Sequence, residues 1–154
     1  MNEIRVDVAT DADTVVARQH GRAAALRLGL SRSDATFVAT AISEIARNIT
    51  VHAGQGVITI SEIRQGDRTG LLVVARDEGP GIADPAAVLR DDYVSDAGLG
   101  IGLWGARRLM DEVEVSSEAG RGTTVTMRKW CPGDEFGVRP PAGPLHPDGA
   151  DGSG

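Results

Sequence analysis

The chain has little cysteine, few aromatic residues and no long apolar run. Cys131 is the only cysteine among 154 residues, so no disulfide can form within one chain. Aromatic residues make up 3% of the sequence, so a core has to be built from Val, Ile, Leu and Ala. No apolar run reaches the roughly 18 residues that a spanning helix needs, and the N-terminal residues lack the apolar centre of a signal peptide. These features predict a cytoplasmic protein that is not attached to a membrane.

Charge and composition narrow the class further. The net charge of −6 and the scattered basic residues argue against a nucleic-acid partner. Hydrophobic residues make up 41% and charged residues 25% of the chain, as is usual for a globular protein. Residues 132–154 hold five of the seven prolines and show no apolar periodicity. We therefore expect one folded domain over residues 1–131 and a disordered tail over residues 132–154.

Apolar periodicity predicts the element order β-α-α-β-β-α-β-β. The strands are expected over residues 4–8, 57–64, 70–76, 113–117 and 123–130. The long helices are expected from Thr10 or Asp11 to Leu28, from Ser31 or Ser33 to about Ala53, and from Leu99 to Asp111, with a short helix over 85–90. Because the strands arrive in adjacent pairs, the sheet should be mixed or mostly antiparallel. Helices on one face would complete a two-layer α/β (α+β) sandwich.

A glycine-rich segment precedes the last helix. Gly98, Gly100 and Gly102 alternate there with Leu99, Ile101 and Leu103. Glycine lets backbone amides approach a ligand closely, and a helix N-terminus favours negative charge. The segment therefore indicates either a phosphate site or simply a flexible turn before a helix.

Polar residues recur along the second helix at a spacing of four. Glu44, Asn48 and His52 should share one helical face. An asparagine oxygen can ligate Mg²⁺, and a carboxylate one turn away can accept a proton from a hydroxyl. The alternative is a solvated polar stripe.

Two further motifs lie at strand ends. Asp77-Glu78-Gly79-Pro80-Gly81 follows a predicted strand, where Asp77 could accept a hydrogen bond from an exocyclic amine or merely form a turn. Gly122-Thr123-Thr124 begins the last strand and is weak evidence when taken alone.

The four motifs in this order resemble the GHKL ATPase superfamily, whose nucleotide-binding domain is called the Bergerat fold. The superfamily has an N-box helix, a D-x-G-x-G loop, an ATP lid ending in G-x-G, and a later G-T strand. In chain order, these correspond to the helix with Glu44 and Asn48, to residues 77–81, to the glycine-rich segment and to residues 122–124. Within the superfamily, the stretches ATAISEIARNI, DEGPGI and GARRLMDE are similar to small bacterial anti-sigma-type serine/threonine kinases of the RsbT type.

The resemblance implies a role for each motif residue. Glu44 would be the general base, and Asn48 would bind Mg²⁺. Asp77 would hold the adenine amino group, with Gly79 and Gly81 shaping that pocket and Thr124, or alternatively Thr123, closing it. The residues that would pass backbone amides around the phosphates are Gly98, Leu99, Gly100, Ile101, Gly102 and Leu103, and residues 93–97 would form the lid.

The resemblance also implies a function and its partners. The expected activity is phosphoryl transfer from Mg-ATP to a STAS-domain antagonist protein, followed by activation of a PP2C-type phosphatase in a stress or sigma-factor pathway such as the stressosome. The alternative is an RsbW-like anti-sigma factor, which sequesters a sigma factor. A detached histidine-kinase domain and an ATP-binding switch without transfer are less consistent with the chain.

Overall fold

The computed structural model describes residues 3–79, 99–118 and 120–132. The predicted short helix over 85–90, the predicted lid over 93–97 and nearly all of the predicted tail lie outside these ranges. The described elements are β1 (Ile4–Val8), α1 (Asp11–Arg27), α2 (Arg32–Asn48), a π-helix (Ile49–Ala53), β2 (Gly56–Gln65), β3 (Arg68–Asp77), α3 (Leu99–Leu109), β4 (Glu112–Glu118) and β5 (Gly122–Trp130). The predicted order of the strands and the three long helices is confirmed.

The five strands form one sheet in the order β1-β2-β3-β5-β4, and every pairing is antiparallel. The β2–β3 hairpin turns through Gly66 and Asp67, and Gly66 adopts a positive φ of 63°. Because β5 pairs with both β3 and β4, the last strand returns to the interior of the sheet, between these two strands. This crossover places the start of β5 beside the end of β3.

The core lies between one face of the sheet and the helices. Alternate strand residues are buried and lie opposite one another, as in the pairs Ile60–Val73 and Val73–Met127. Helices α1 and α2 pack against each other, and α2 packs against α3. The aliphatic core and the two-layer sandwich with helices on one face are as predicted.

Short polar side chains determine where the first two helices begin. Thr10 caps α1 in a capping box, in which Thr10 Oγ1 accepts from Asp13 N–H and the Asp13 carboxylate accepts from the backbone of Thr10. Ser31, rather than Ser33, caps α2 by accepting from Asp34 N–H at 3.0 Å.

The second helix does not stay α-helical to its predicted end near Ala53. After Asn48 it continues as a π-helix, and Gly54 N–H donates to Ile49 O at 2.8 Å across five residues. Single π turns are rare and are often found at functional sites, because they place one extra residue in a turn.

Candidate nucleotide-binding site

Helix α2 presents Glu44 and Asn48 one turn apart. Both side chains are half-buried and lie beside the helix's fully buried apolar stripe, which includes Ala41 and Ile45. Arg47, by contrast, is exposed. The expected shared position of Glu44 and Asn48 on one helical face therefore agrees with the geometry of α2.

The side-chain amide of Asn48 is partly unsatisfied. Within the described residues, its Nδ2 atom is fully buried and makes no hydrogen bond. Burying an amide donor without a partner costs about 1–3 kcal/mol, so such groups are rare and call for an explanation. A half-turn of the amide exchanges Nδ2 and Oδ1, which would place an oxygen at the same position.

An oxygen at this position suits Mg²⁺, which prefers oxygen ligands and is usually held by one or two protein groups together with substrate phosphates. The described residues contain no cluster of three or more His, Cys, Asp or Glu side chains that could enclose a metal ion by themselves. Asn48 therefore fits a magnesium ion that is shared with a nucleotide.

The π-helix reaches the loop that follows β3. A Cβ built on Gly79 would lie 2.7 Å from Ala53 Cβ and 2.9 Å from Ala53 Cα, so no side chain fits there. The end of the π-helix and the Asp77–Gly79 turn thus pack backbone against backbone. This contact joins the helix that carries Asn48 to the turn that carries Asp77.

Asp77 is the last residue of β3, and its carboxylate is held by its own turn. Gly79 N–H donates to Asp77 Oδ1 at 2.9 Å, and the Asp77 side chain is half-buried. Gly122, with a φ of 116°, lies so close that a Cβ there would overlap the Asp77 carbonyl oxygen. Asp77 is therefore fixed by the turn on one side and by β5 on the other.

The sheet register separates the two threonines at the start of β5. Thr123 pairs with Asp77, and Thr124 pairs with Arg76. Paired residues of an antiparallel sheet lie on the same face, so Thr123 shares the helix-covered face with Asp77, whereas Thr124 lies on the outer face. Thr123 Oγ1 also lies 3.0 Å from Ser117 Oγ. The structure therefore brings Thr123, and not Thr124, to the side of Asp77.

The predicted glycine-rich segment begins α3 at Leu99. Gly100 and Gly102 lie in its first turn, where backbone N–H groups have no partner within the helix. Leu103 is 1% exposed and helps to attach α3 to α2. This packing puts α3 against the helix that carries Glu44 and Asn48. Gly98 and Gly81 lie outside the described residues.

Two residues of this arrangement were not singled out by the sequence. The sequence indicates Thr123 only as the alternative to Thr124, and it does not point to Gly56, which pairs with Asp77. Strand alternation would have distinguished the threonines if the register against β3 had been known. Gly56 carries no motif of its own and is recognised only by the atoms around it.

Comparison with known proteins agrees with this architecture. Residues 8–129 match the family described as histidine kinase-like ATPase domain. The chain belongs to this family, and the predicted GHKL membership is confirmed. Two solved structures share the fold: the RsbU and RsbW domains of Rv1364c from Mycobacterium tuberculosis (TM-score 0.59, 21% identity, 86% of this chain and 34% of that chain), and a mycobacterial sensor histidine kinase MprB (TM-score 0.50, 16% identity, 84% and 97%).

Curated relatives narrow the class. The chain is 45% identical over 125 residues to serine/threonine-protein kinase RsbT of Bacillus subtilis (strain 168), covering 81% of this chain and 94% of the relative. It is 32% identical over 130 residues to an anti-sigma F factor of Thermoanaerobacter sp. (strain X514), covering 80% and 86%. The predicted enzyme class, an ATP-dependent protein serine/threonine kinase, is confirmed, and both relatives support a kinase of the partner-switching type.

The helices also bear on membrane attachment. None of those within the described ranges combines the length and apolar character needed to cross a bilayer.

Proposed function

We propose that the chain transfers the γ-phosphoryl group of Mg-ATP to a serine or threonine of a STAS-domain antagonist protein. The observation that carries the proposal is the pair Glu44 and Asn48, which are half-buried one turn apart on α2. A buried amide atom of Asn48 has no hydrogen-bond partner in the part of the chain that the structure describes. Catalysis of phosphoryl transfer depends on positioning and on charge stabilisation. A pre-positioned carboxylate beside a metal ligand provides both.

The chain's own residues divide the work. Asn48 would hold Mg²⁺, which when bound neutralises charge on the β- and γ-phosphates. Glu44 would accept the proton of the attacking hydroxyl as the new oxygen–phosphorus bond forms and the bond to the leaving β-phosphate oxygen breaks. Backbone amides of the glycine-rich segment, Gly98 to Leu103, would bind the phosphates at the start of α3.

The adenine end would be read by Asp77. Because Gly79 N–H already occupies Oδ1 at 2.9 Å, Oδ2 is the oxygen that would accept from the adenine amine. Gly79 and Gly81 would leave room for the flat ring. The threonine that supports this pocket would be Thr123, in place of Thr124, because Thr123 pairs with Asp77 in the sheet.

The same relatives suggest the step after the transfer. Phosphorylation of the antagonist would release the kinase, and the released kinase would bind and activate a PP2C-type phosphatase, by analogy with the RsbT-type kinases. The second candidate is direct binding of a sigma factor. It is favoured by the 32% identity to an anti-sigma F factor over most of both chains.

The decisive experiment uses Glu44→Gln. The amide keeps the size of the side chain but accepts no proton, so ATP binding should persist while phosphorylation of the antagonist falls by at least about a hundredfold, as expected for loss of a general base. Mass spectrometry of the antagonist measures transfer, and calorimetry measures ATP affinity. The matched control is Glu62→Gln on β2. Transfer near the wild-type rate in Glu44→Gln would remove Glu44 from the mechanism.

Co-purification separates the two partner hypotheses. The kinase, with and without Mg-ATP, is mixed with the PP2C-type phosphatase or with the sigma factor of the same organism. Retention of the phosphatase supports partner switching of the RsbT type, and retention of the sigma factor supports the anti-sigma function.

A further inference from the structure

Gly56, the first residue of β2, lies between the start of the π-helix and the end of β3. It pairs directly with Asp77 in the sheet. A Cβ built on it would lie 2.5 Å from Arg76 O, 2.9 Å from Ile49 Cγ2 and 3.2 Å from Asp77 Cβ. Real Cβ atoms essentially never approach heavy atoms more closely than 3.0 Å, so a side chain here would displace its neighbours.

These neighbours belong to the two elements that carry the site. Ile49 is the residue directly after Asn48 and begins the π-helix, where it is 2% exposed. Arg76 and Asp77 end β3. Because Gly56 has no side chain, the start of the π-helix, next to Asn48, and the end of β3, which carries Asp77, can both lie close to the backbone of β2.

We propose that Gly56 is a positioning residue of the nucleotide site, acting through Asp77. The inference rests on the proposed role of Asp77 in holding the adenine amine. The effect is steric. Any side chain at position 56 would move the Arg76–Asp77 peptide away from β2, and the Asp77 carboxylate, which accepts from Gly79 N–H, would move with it. A charge-assisted hydrogen bond is sensitive to such a shift, because its strength falls steeply with distance and angle.

The chain offers a matched control within the same sheet. Gly70, near the opposite end of β3, is surrounded as tightly: a Cβ there would lie 2.7 Å from Lys129 O and 2.8 Å from Trp130 Cε3. Gly56→Ala and Gly70→Ala thus crowd the sheet to a similar degree, and only the first does so beside Asp77. A purely structural role predicts that both variants lose stability and bind nucleotide alike.

The probes are ATP and purine riboside triphosphate, which differ only by the 6-amino group. Isothermal titration with Mg²⁺ gives the ratio of their affinities for wild type, Gly56→Ala and Gly70→Ala. We expect Gly56→Ala to bind ATP about tenfold more weakly, as for one lost hydrogen bond to a charged acceptor, with little change for the analogue. Gly70→Ala should keep the wild-type ratio. In an Asp77→Asn background, Gly56→Ala should add little, since the two changes act on one interaction.

Each result decides the matter. Equal losses for both nucleotides in Gly56→Ala, an unchanged ATP affinity, or the same change of ratio in Gly70→Ala would overturn the role of Gly56. If wild type itself binds no ATP, the proposed function fails instead. Should Gly56→Ala not fold, the double variant with Ile49→Leu carries the same test, because leucine lacks the branching methyl that the new Cβ would meet at 2.9 Å.

Discussion

We expect Asn48 to lower the stability of the nucleotide-free protein, compared with an apolar residue at the same position, and to stabilise the protein when Mg-ATP is bound. Its Nδ2 atom is buried without a hydrogen bond among the described residues. Replacing it with leucine, which is of similar size, removes an unsatisfied donor worth about 1–3 kcal/mol. Leucine also favours a helix over asparagine by about 0.5 kcal/mol. We therefore expect Asn48→Leu to raise the free energy of unfolding of the nucleotide-free protein by about 2 kcal/mol.

Mg-ATP should make wild type more stable than Asn48→Leu, which is the reverse of the order expected for the nucleotide-free proteins. A ligand at a thousandfold excess over its Kd stabilises the folded state by about 4 kcal/mol. Wild type should gain that amount, whereas Asn48→Leu should gain almost nothing because it cannot hold the metal that binds with the phosphates. Wild type should then unfold at a higher temperature than the variant with Mg-ATP, and at a lower temperature without it.

Differential scanning calorimetry with and without Mg-ATP measures both effects, and the shift without nucleotide should be about 6 °C for a domain of this size. Thr36→Leu, at an exposed position of the same helix, reports the gain from helix propensity alone. A variant less stable than wild type without nucleotide would show that the Asn48 amide is satisfied in solution. Full stabilisation of Asn48→Leu by Mg-ATP would show that Asn48 does not hold the metal.

Two further predictions concern stability. Lys129 is 9% exposed and donates to Leu109 O at 2.9 Å at the end of α3, so Lys129→Met should lower the free energy of unfolding, measured by urea titration, by about 2 kcal/mol. The control Arg5→Gln breaks an exposed ion pair and should lower it by less than about 0.5 kcal/mol. Equal losses for the two variants would contradict the reasoning. Backbone N–H groups of Ala9 and Thr10 lower the pKa of Asp13 below its ordinary 3.8, so its stabilisation is present above that pH and is lost as the pH falls through the lower, folded-state pKa. The stability gap between wild type and Asp13→Asn should accordingly narrow below pH 3.8, and a gap that does not change with pH would contradict the capping role of the carboxylate.

Local signals in the sequence were sufficient for most of the fold. Alternating apolar residues located the strands, and a helical period located the three long helices, because burial of one face imposes those periods on any amphipathic element. The sequence left two candidate caps for each of the first two helices. The structure selects Thr10, where Asp13 completes the capping box, and Ser31.

The candidate site was predictable where its parts are close in sequence. Glu44 and Asn48 share a helical face by spacing alone, and Asp77 ends a recognisable strand. The π-helix after Asn48 was not predictable, since a helical period continues through His52. In the π-helix, Ile49 lies beside the start of β2 and Ala53 lies beside the turn at Gly79, and these contacts exist only once the chain has folded.

Local patterns of amino acids thus specify the elements, their order and the motifs that carry the chemistry, because each pattern depends on residues within one or two turns of one another. Only the tertiary structure shows which residues of neighbouring strands lie opposite one another. Strand register places Thr123 rather than Thr124 on the face of Asp77, and it places Gly56 opposite Asp77. A shift of the pairing register by one residue moves every side chain of a strand to the other face of the sheet. Only the packed sheet determines this register.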